Sequence, residues 1–480
     1  METENTALSL DTYSRCDLVN FKNVVDLDTG NSDDSTVYLG IDYSFASSLE
    51  FKNGGPKYYL KLERNGPGDY NAPLFVHNTL MTTGGVIEEY RNDELLPQAE
   101  EFWLDMPLRN NYRFKLGLYA YEVGEGFSLN GAYENYGFTF YKEWPNALLK
   151  FYYCRPDVVY KNHLGPRIRQ DEEQGYVYNP NAANFFATDV KIKWDESYFH
   201  PYLGVLADYT SEGKRDNLFT APIKKDILGT LGFACSLRRQ KLSLTTEIAH
   251  NFGKAESASS DYKDIYHTGY MLYTDVAYGL EKFTPRFKFL LASGNKVDLD
   301  MVQNQDATLT SGKNRAFSPS SPLNMNLSDS IGNCHSEIRP LVAMGSCYGL
   351  SYGVPRPNTF YATDFDNLII TALGFEFKAT GKLNIIFDGL YLESLERGAG
   401  MLDGEAKYLS RGLGYEFDLI AEYQLNDNLL LSASGGYFVP GRYYKEKRDD
   451  TDGSLFNPYL RGDGHVNPAY QIEMSLELKF

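Results

Sequence analysis

The last eleven residues of the chain, Tyr470-Gln-Ile-Glu-Met-Ser-Leu-Glu-Leu-Lys-Phe480, alternate apolar and polar without an exception. Tyr470, Ile472, Met474, Leu476, Leu478 and Phe480 fall on one face, and Gln471, Glu473, Ser475, Glu477 and Lys479 on the other. A period of two predicts a β-strand with one face in an apolar phase and one in water. The run exceeds the about 5–6 residues of an average soluble strand. It matches the roughly 9–11 residues that cross a bilayer at a tilt.

The rest of the chain repeats this pattern. Strands are predicted at 7–19, 37–51, 57–64, 100–108, 112–121, 132–144, 147–154, 184–194 and 201–209, then at 226–238, 241–251, 264–280, 286–293, 367–378, 382–393, 412–424, 428–439 and 468–480. Short turns and long loops alternate between them. A transmembrane barrel requires that segregation, with short turns on the periplasmic rim and long loops outside. The expectation is an all-β fold: one transmembrane antiparallel β-barrel of about eighteen strands spanning residues 1–480, both termini on the periplasmic side. Closure leaves no edge strand and no backbone group unpaired in lipid.

Composition sharpens this picture. There are 38 Tyr and 29 Phe, yet no stretch approaches the 18 consecutive apolar residues of a membrane helix. Half-polar strands hide a lipid face from hydropathy averaging, so a negative mean hydropathy is compatible with insertion. The formal net charge of −18 excludes nucleic acid as a natural partner, because phosphate backbones call for basic surfaces. No signal segment precedes the first strand, and the chain is read as a mature form with a start Met.

The inward face carries the candidate chemistry. Arg113, Lys115, Lys191, Lys193, Arg238, Arg286 and Lys288 all fall on the polar set of their strands and are the candidate anion-attracting constriction. Glu376, Asp388, Glu416, Asp418 and Glu422 form a candidate opposing acidic wall. A barrel of this strand number encloses an aqueous channel, and a basic wall facing an acidic one sets a transverse field of the kind that selects ions. Residues 297–363 form an insert long enough to plug the pore, with a possible Cys334–Cys347 disulfide in an oxidising compartment. Cys16, Cys154 and Cys235 read as wall residues. The acidic loops 26–34 and 449–453 have carboxylate spacings that hard cations favour but match no twelve-residue calcium loop. No haem, zinc or nucleophile motif is present, so neither a cofactor nor an enzymatic reaction is expected.

An aromatic last residue on the last strand resembles the closing strand of bacterial outer-membrane barrels, which addresses the chain to the outer-membrane insertion machinery. The run Gln98-Ala-Glu-Glu-Phe-Trp-Leu-Asp105, then Tyr112-Arg-Phe-Lys-Leu-Gly-Leu and Glu125-Gly-Phe, resembles the alginate-export porin family. So do Gly414-Tyr-Glu-Phe-Asp-Leu-Ile-Ala-Glu-Tyr423 and Gly435-Gly-Tyr-Phe-Val-Pro-Gly441 near the end. The resemblance implies an eighteen-stranded monomer integral to a Gram-negative outer membrane, in contact with lipid and lipopolysaccharide. It also implies a loop-plugged lumen and a basic constriction that passes an anionic solute or polysaccharide. Lys stands where that family favours Arg, and a Lys point charge lacks the bidentate fork for carboxylates. The competing expectation is a barrel that sheathes or anchors a periplasmic secretion or electron-transfer partner.

Overall fold

The alternation at the C-terminus becomes an inside-out strand. Gln471, Glu473, Ser475 and Glu477 are buried, while Ile472, Met474 and Leu476 are exposed. Polar-in and apolar-out reverses a soluble protein and suits a wall between lipid and lumen. The computed structural model describes residues 6–22, 36–52, 54–64, 75–77, 98–119, 121–131, 136–155, 161–162, 165–166, 183–209, 223–257, 260, 263–296, 299–300, 312–317, 367–446 and 466–480.

Eighteen strands close one antiparallel barrel. In chain order they are β1 Thr6–Lys22, β2 Thr36–Phe51, β3 Lys57–Arg64, β4 Gln98–Pro107, β5 Tyr112–Leu118, β6 Tyr136–Trp144, β7 Ala147–Arg155, β8 Ala183–Trp194 and β9 Ser197–Asp208. The second half comprises β10 Ile223–Arg239, β11 Leu242–Ser257, β12 Tyr270–Tyr278, β13 Phe283–Ala292, β14 Leu368–Lys378, β15 Leu383–Glu393, β16 Gly412–Asn426, β17 Leu429–Pro440 and β18 Ala469–Lys479. Each strand pairs with its sequence neighbour, and β18 returns to β1 in a register from Tyr13↔Lys479 to Lys22↔Tyr470. Thr12 and Phe480 exchange both backbone hydrogen bonds at 2.9 Å, which completes the seam. Among the described residues no helix is long and apolar enough to cross a membrane; the strands do the crossing.

The short turns sit on one rim. Asn110, Asn111, Asp195 and Gln240 adopt positive φ there, a region that Asn and Asp enter more readily than most residues. Trp144, Trp194, Phe283 and Phe377 face outward beside these turns. Lys142 points the same way, with its Nζ 4.5 Å from the Tyr112 ring and 4.9 Å from that of Trp144. An amphipathic lysine among aromatic rings marks an interface between water and apolar phase. At the long-loop rim, Tyr391, Tyr415 and Tyr437 occupy outward positions on successive strands.

Two sequence-predicted strands end differently. The 112–121 strand stops at Leu118, and the chain turns into the lumen. The 264–280 strand divides into Ile265–His267 and β12, because Lys313–Asn314 pairs in parallel with the first piece and the backbone of Ala316 and Phe317 presses against Gly269. Inside the barrel an apolar cluster joins wall residues Met271, Leu290, Ile370, Leu392 and Phe438 to residues from loops, namely Phe127, Phe317, Leu409, Tyr443 and Tyr444. The long-loop half of the lumen is therefore packed along β12–β18.

Candidate pore constriction

The narrowing element begins at Gly117, whose φ is 140° and where an added Cβ would lie 2.1 Å from the Phe102 carbonyl oxygen. Only glycine accommodates that close approach and that dihedral. One residue after Leu118 the chain leaves the wall. Tyr121–Val123 pairs with Leu129–Gly131 in a small hairpin, with Gly124 and Gly126 at positive φ in its tip. Tyr121, Val123, Phe127, Ser128 and Leu129 are all buried.

Two buried carboxylates on the inner wall hold this hairpin. Glu247 on β11 is fully buried and accepts hydrogen bonds from Ser128 Oγ at 2.5 Å, Tyr202 OH at 2.6 Å and the Glu125 amide at 2.7 Å. Asp189 on β8 accepts from Tyr121 OH at 2.6 Å and lies 2.7 Å from His200 Nε2. The other ring nitrogen, His200 Nδ1, receives the Gly124 amide at 3.3 Å. Nδ1 must carry a lone pair to accept, so the proton is assigned to Nε2, which donates to Asp189. Burial and then the nearby Asp189 charge push the Tyr121 phenol well above its ordinary pKa, which keeps it a neutral donor. Hydrogen bonds to these two carboxyl groups thus join the hairpin to the wall residues Tyr202 and His200.

Register places every one of the sequence-predicted charges on the lumen face, but it does not leave them as a bare ring. Arg113 Nε donates to Asp105 at 3.0 Å on the adjacent β4. Lys115 Nζ lies between the rings of Trp103 and Tyr119, at 4.0 and 3.9 Å. Arg286 is ion-paired with Asp275. Lys288 is almost fully buried and contacts Asp388 Oδ2 at 2.8 Å. That pair spans from β13 to β15 over Gly374 on β14, where an added Cβ would meet Asp388 Oδ1 at 2.0 Å. Here the acid stands two strands from the base and pairs with it. Glu416 and Asp418 are buried, Glu422 accepts from Asn384 at 3.3 Å, and Glu376 lies 4.0 Å from Lys378.

The remaining candidates stand toward the short-turn rim. Lys191 Nζ lies 4.1 Å from the Tyr198 ring centre, while Lys193 and Arg238 are exposed. Across the closing seam Arg15 bonds Glu473 at 2.9 Å, a buried pair that sequence reasoning did not single out. Glu247, His200 and Tyr202 were also missed as a set; the signal was the Gly124/Gly126 pair between aromatic residues, which marks a tight turn but not its destination. Most of 297–363, with Cys334 and Cys347, and the loops 26–34 and 449–453 lie outside the described residues. Cys16, Cys154 and Cys235 lie on strands as thiols rather than in disulfides. Among the described residues no group of three or more His, Cys, Asp or Glu could hold a metal ion.

No family model matches the chain, and no curated protein sequence is significantly similar to it. Solved structures do share its shape. OccAB3 of Acinetobacter baumannii matches with TM-score 0.54 at 8% identity, covering 98% of this chain and 99% of that one. OccK9 (OpdG) of Pseudomonas aeruginosa matches with TM-score 0.54 at 10% identity, covering 98% of each. The outer membrane protein OprD from Pseudomonas aeruginosa matches with TM-score 0.50 at 9% identity, covering 98% and 93%. At such identities the shared feature is the barrel fold, which is that of integral outer-membrane proteins. What these neighbours show is the barrel fold; they do not show the alginate-export resemblance.

Proposed function

We propose that this chain is an outer-membrane channel for passive passage of small hydrophilic solutes, with a preference for anions set near the short-turn rim. The observation that carries the reading is the hairpin at 121–131, tied by Asp189 and Glu247 across the inner wall of a barrel of porin size. A loop folded inward narrows an aqueous lumen without closing the barrel, and charged groups at a narrowing select by sign. Paired charges such as Lys288 and Asp388 contribute little net field. The exposed basic residues Lys193 on β8 and Arg238 on β10 then carry the preference. The apolar packing inside β12–β18 favours a small anion over an extended polysaccharide.

A barrel that sheathes a partner needs its lumen free for that partner. Here the chain's own residues occupy the inner wall from β8 to β12, which argues for the channel. The test is a planar-bilayer recording under a salt gradient. Wild type is expected to give stable conductance with a reversal potential on the anion side, and K193E/R238E is expected to move it toward the cation side. An unmoved reversal potential would remove these residues from the selective region. Block by oligouronate would restore a polysaccharide as the solute.

A further inference from the structure

At the long-loop rim a cavity of about 660 Å³ opens between β15, β16 and the residues that follow β17. Three arginines line it, Arg397, Arg411 and Arg442, on a chain whose net charge is −18. Its floor on the lipid side is made by Tyr391 and Tyr415, which stand on the outward face of neighbouring strands with ring centres 5.0 Å apart. We infer that this rim cavity binds the phosphorylated sugar headgroup of an outer-leaflet glycolipid, of the lipopolysaccharide type.

Three features point to that occupant. The first is position: outward tyrosines at the end of the strands mark the depth of headgroups, where amphipathic rings settle with one end apolar and one end wet. The second is charge and geometry. Arg411 Nε donates to the Ser394 carbonyl at 2.7 Å and its Nη2 reaches Glu393 at 3.4 Å, which fixes the plane of the guanidinium. Arg442 reaches Glu446 at 3.4 Å through Nε and is otherwise 82% exposed. A guanidinium has five N–H donors in a fork, so one carboxylate contact each leaves donors for phosphate oxygens, the geometry in which Arg surpasses Lys. The third is the mixture of lining groups. Tyr408, Ser410 and the backbone of Gly412 and Gly414 add polar and small surfaces beside the arginines, which suits a sugar phosphate better than an acyl chain.

The inference rests on the outer-membrane reading only for the direction in which this rim faces. Its test uses the full-length refolded protein in detergent, followed by native mass spectrometry with four probes: bisphosphorylated lipid A, dephosphorylated lipid A, phosphatidylglycerol and sodium pyrophosphate. Bisphosphorylated lipid A is expected to bind wild type and to bind R397A/R442A on the order of 100-fold more weakly, with about tenfold for each charge-assisted contact. R411K keeps the charge but loses the fork and is expected to fall between the two. Heat-modifiable gel mobility confirms that each variant remains a barrel. Equal binding of the dephosphorylated lipid, or of R397A/R442A, would overturn the site. Pyrophosphate or phosphatidylglycerol binding as tightly as lipid A would overturn the glycolipid assignment. Because Arg397 and Arg442 stand exposed at the long-loop rim, at the opposite end from Lys193 and Arg238, R397A/R442A is expected to conduct as wild type does. Glycolipid binding by a protein that never conducts would sink the channel reading alone and leave this one standing.

Discussion

Single residues decide how the narrowing is held. Glu247 gathers two hydroxyls and one backbone amide from the hairpin and wall onto one buried carboxylate. Each such hydrogen bond is worth about 0.5–1.5 kcal/mol net, and a buried donor left without its partner costs about 1–3 kcal/mol. E247A is therefore expected to release the hairpin, raising single-channel conductance and open-state noise; currents indistinguishable from wild type would show that the latch does not bear on the passage. Lys288 makes a second case. Removing one partner of a buried ion pair costs about 3–5 kcal/mol, because the other charge stays behind in a poor solvent. D388N should lower the urea midpoint of unfolding in lipid vesicles accordingly, whereas E376Q, at a half-exposed and distant contact, should change it little.

At the scale of elements, β5 and the hairpin after it form one device. The alternation Arg113, Lys115, Gly117 inward against Phe114, Leu116 outward was readable as a wall strand and is one. Its end was not readable, because Tyr119 and Tyr121 continue the same two-residue pattern past the point where the chain leaves the sheet. What stops the strand is the close backbone approach at Gly117 and the burial waiting for Tyr121 among Tyr152, Phe185 and Asp189. An added methyl at Gly117 meets backbone on the neighbouring strand, which has nowhere to move. G117A is expected to cut the yield of heat-modifiable barrel severalfold on refolding, a result that band intensity on a semi-native gel reads directly. Wild-type yield would mean that the close approach at Gly117 relaxes at no cost.

For the whole molecule the governing fact is closure. Strand β18 pairs along its length with β17 and β1, so its loss exposes two edges to lipid, where each unsatisfied backbone group costs several kcal/mol. Truncation before Ala469 should abolish the heat-modifiable form altogether; a compact, protease-resistant barrel from the truncated chain would show that seventeen strands can close. Closure also explains why a net charge of −18 is tolerated, since lumen carboxylates such as Glu473 find partners such as Arg15 across the seam.

The period-two pattern by itself determined that the chain is a barrel, how many strands it has, which rim carries long loops and which side chains face the lumen. Those features depend on each residue's own polarity and on the alternation of its neighbours, both of which are local. Only the tertiary structure decided which loop enters the lumen and which charges cancel. The sequence pointed to the insert at 297–363, most of which lies outside the described residues and whose Phe317 joins the lumen cluster; the hairpin at 121–131 finds its anchors at Asp189, His200 and Glu247, roughly seventy to more than a hundred residues further along the chain. Lys288 and Asp388 are one hundred positions apart and meet only because β14 presents a glycine between them. Such contacts depend on the curvature that closure imposes, and no stretch of sequence encodes that curvature alone.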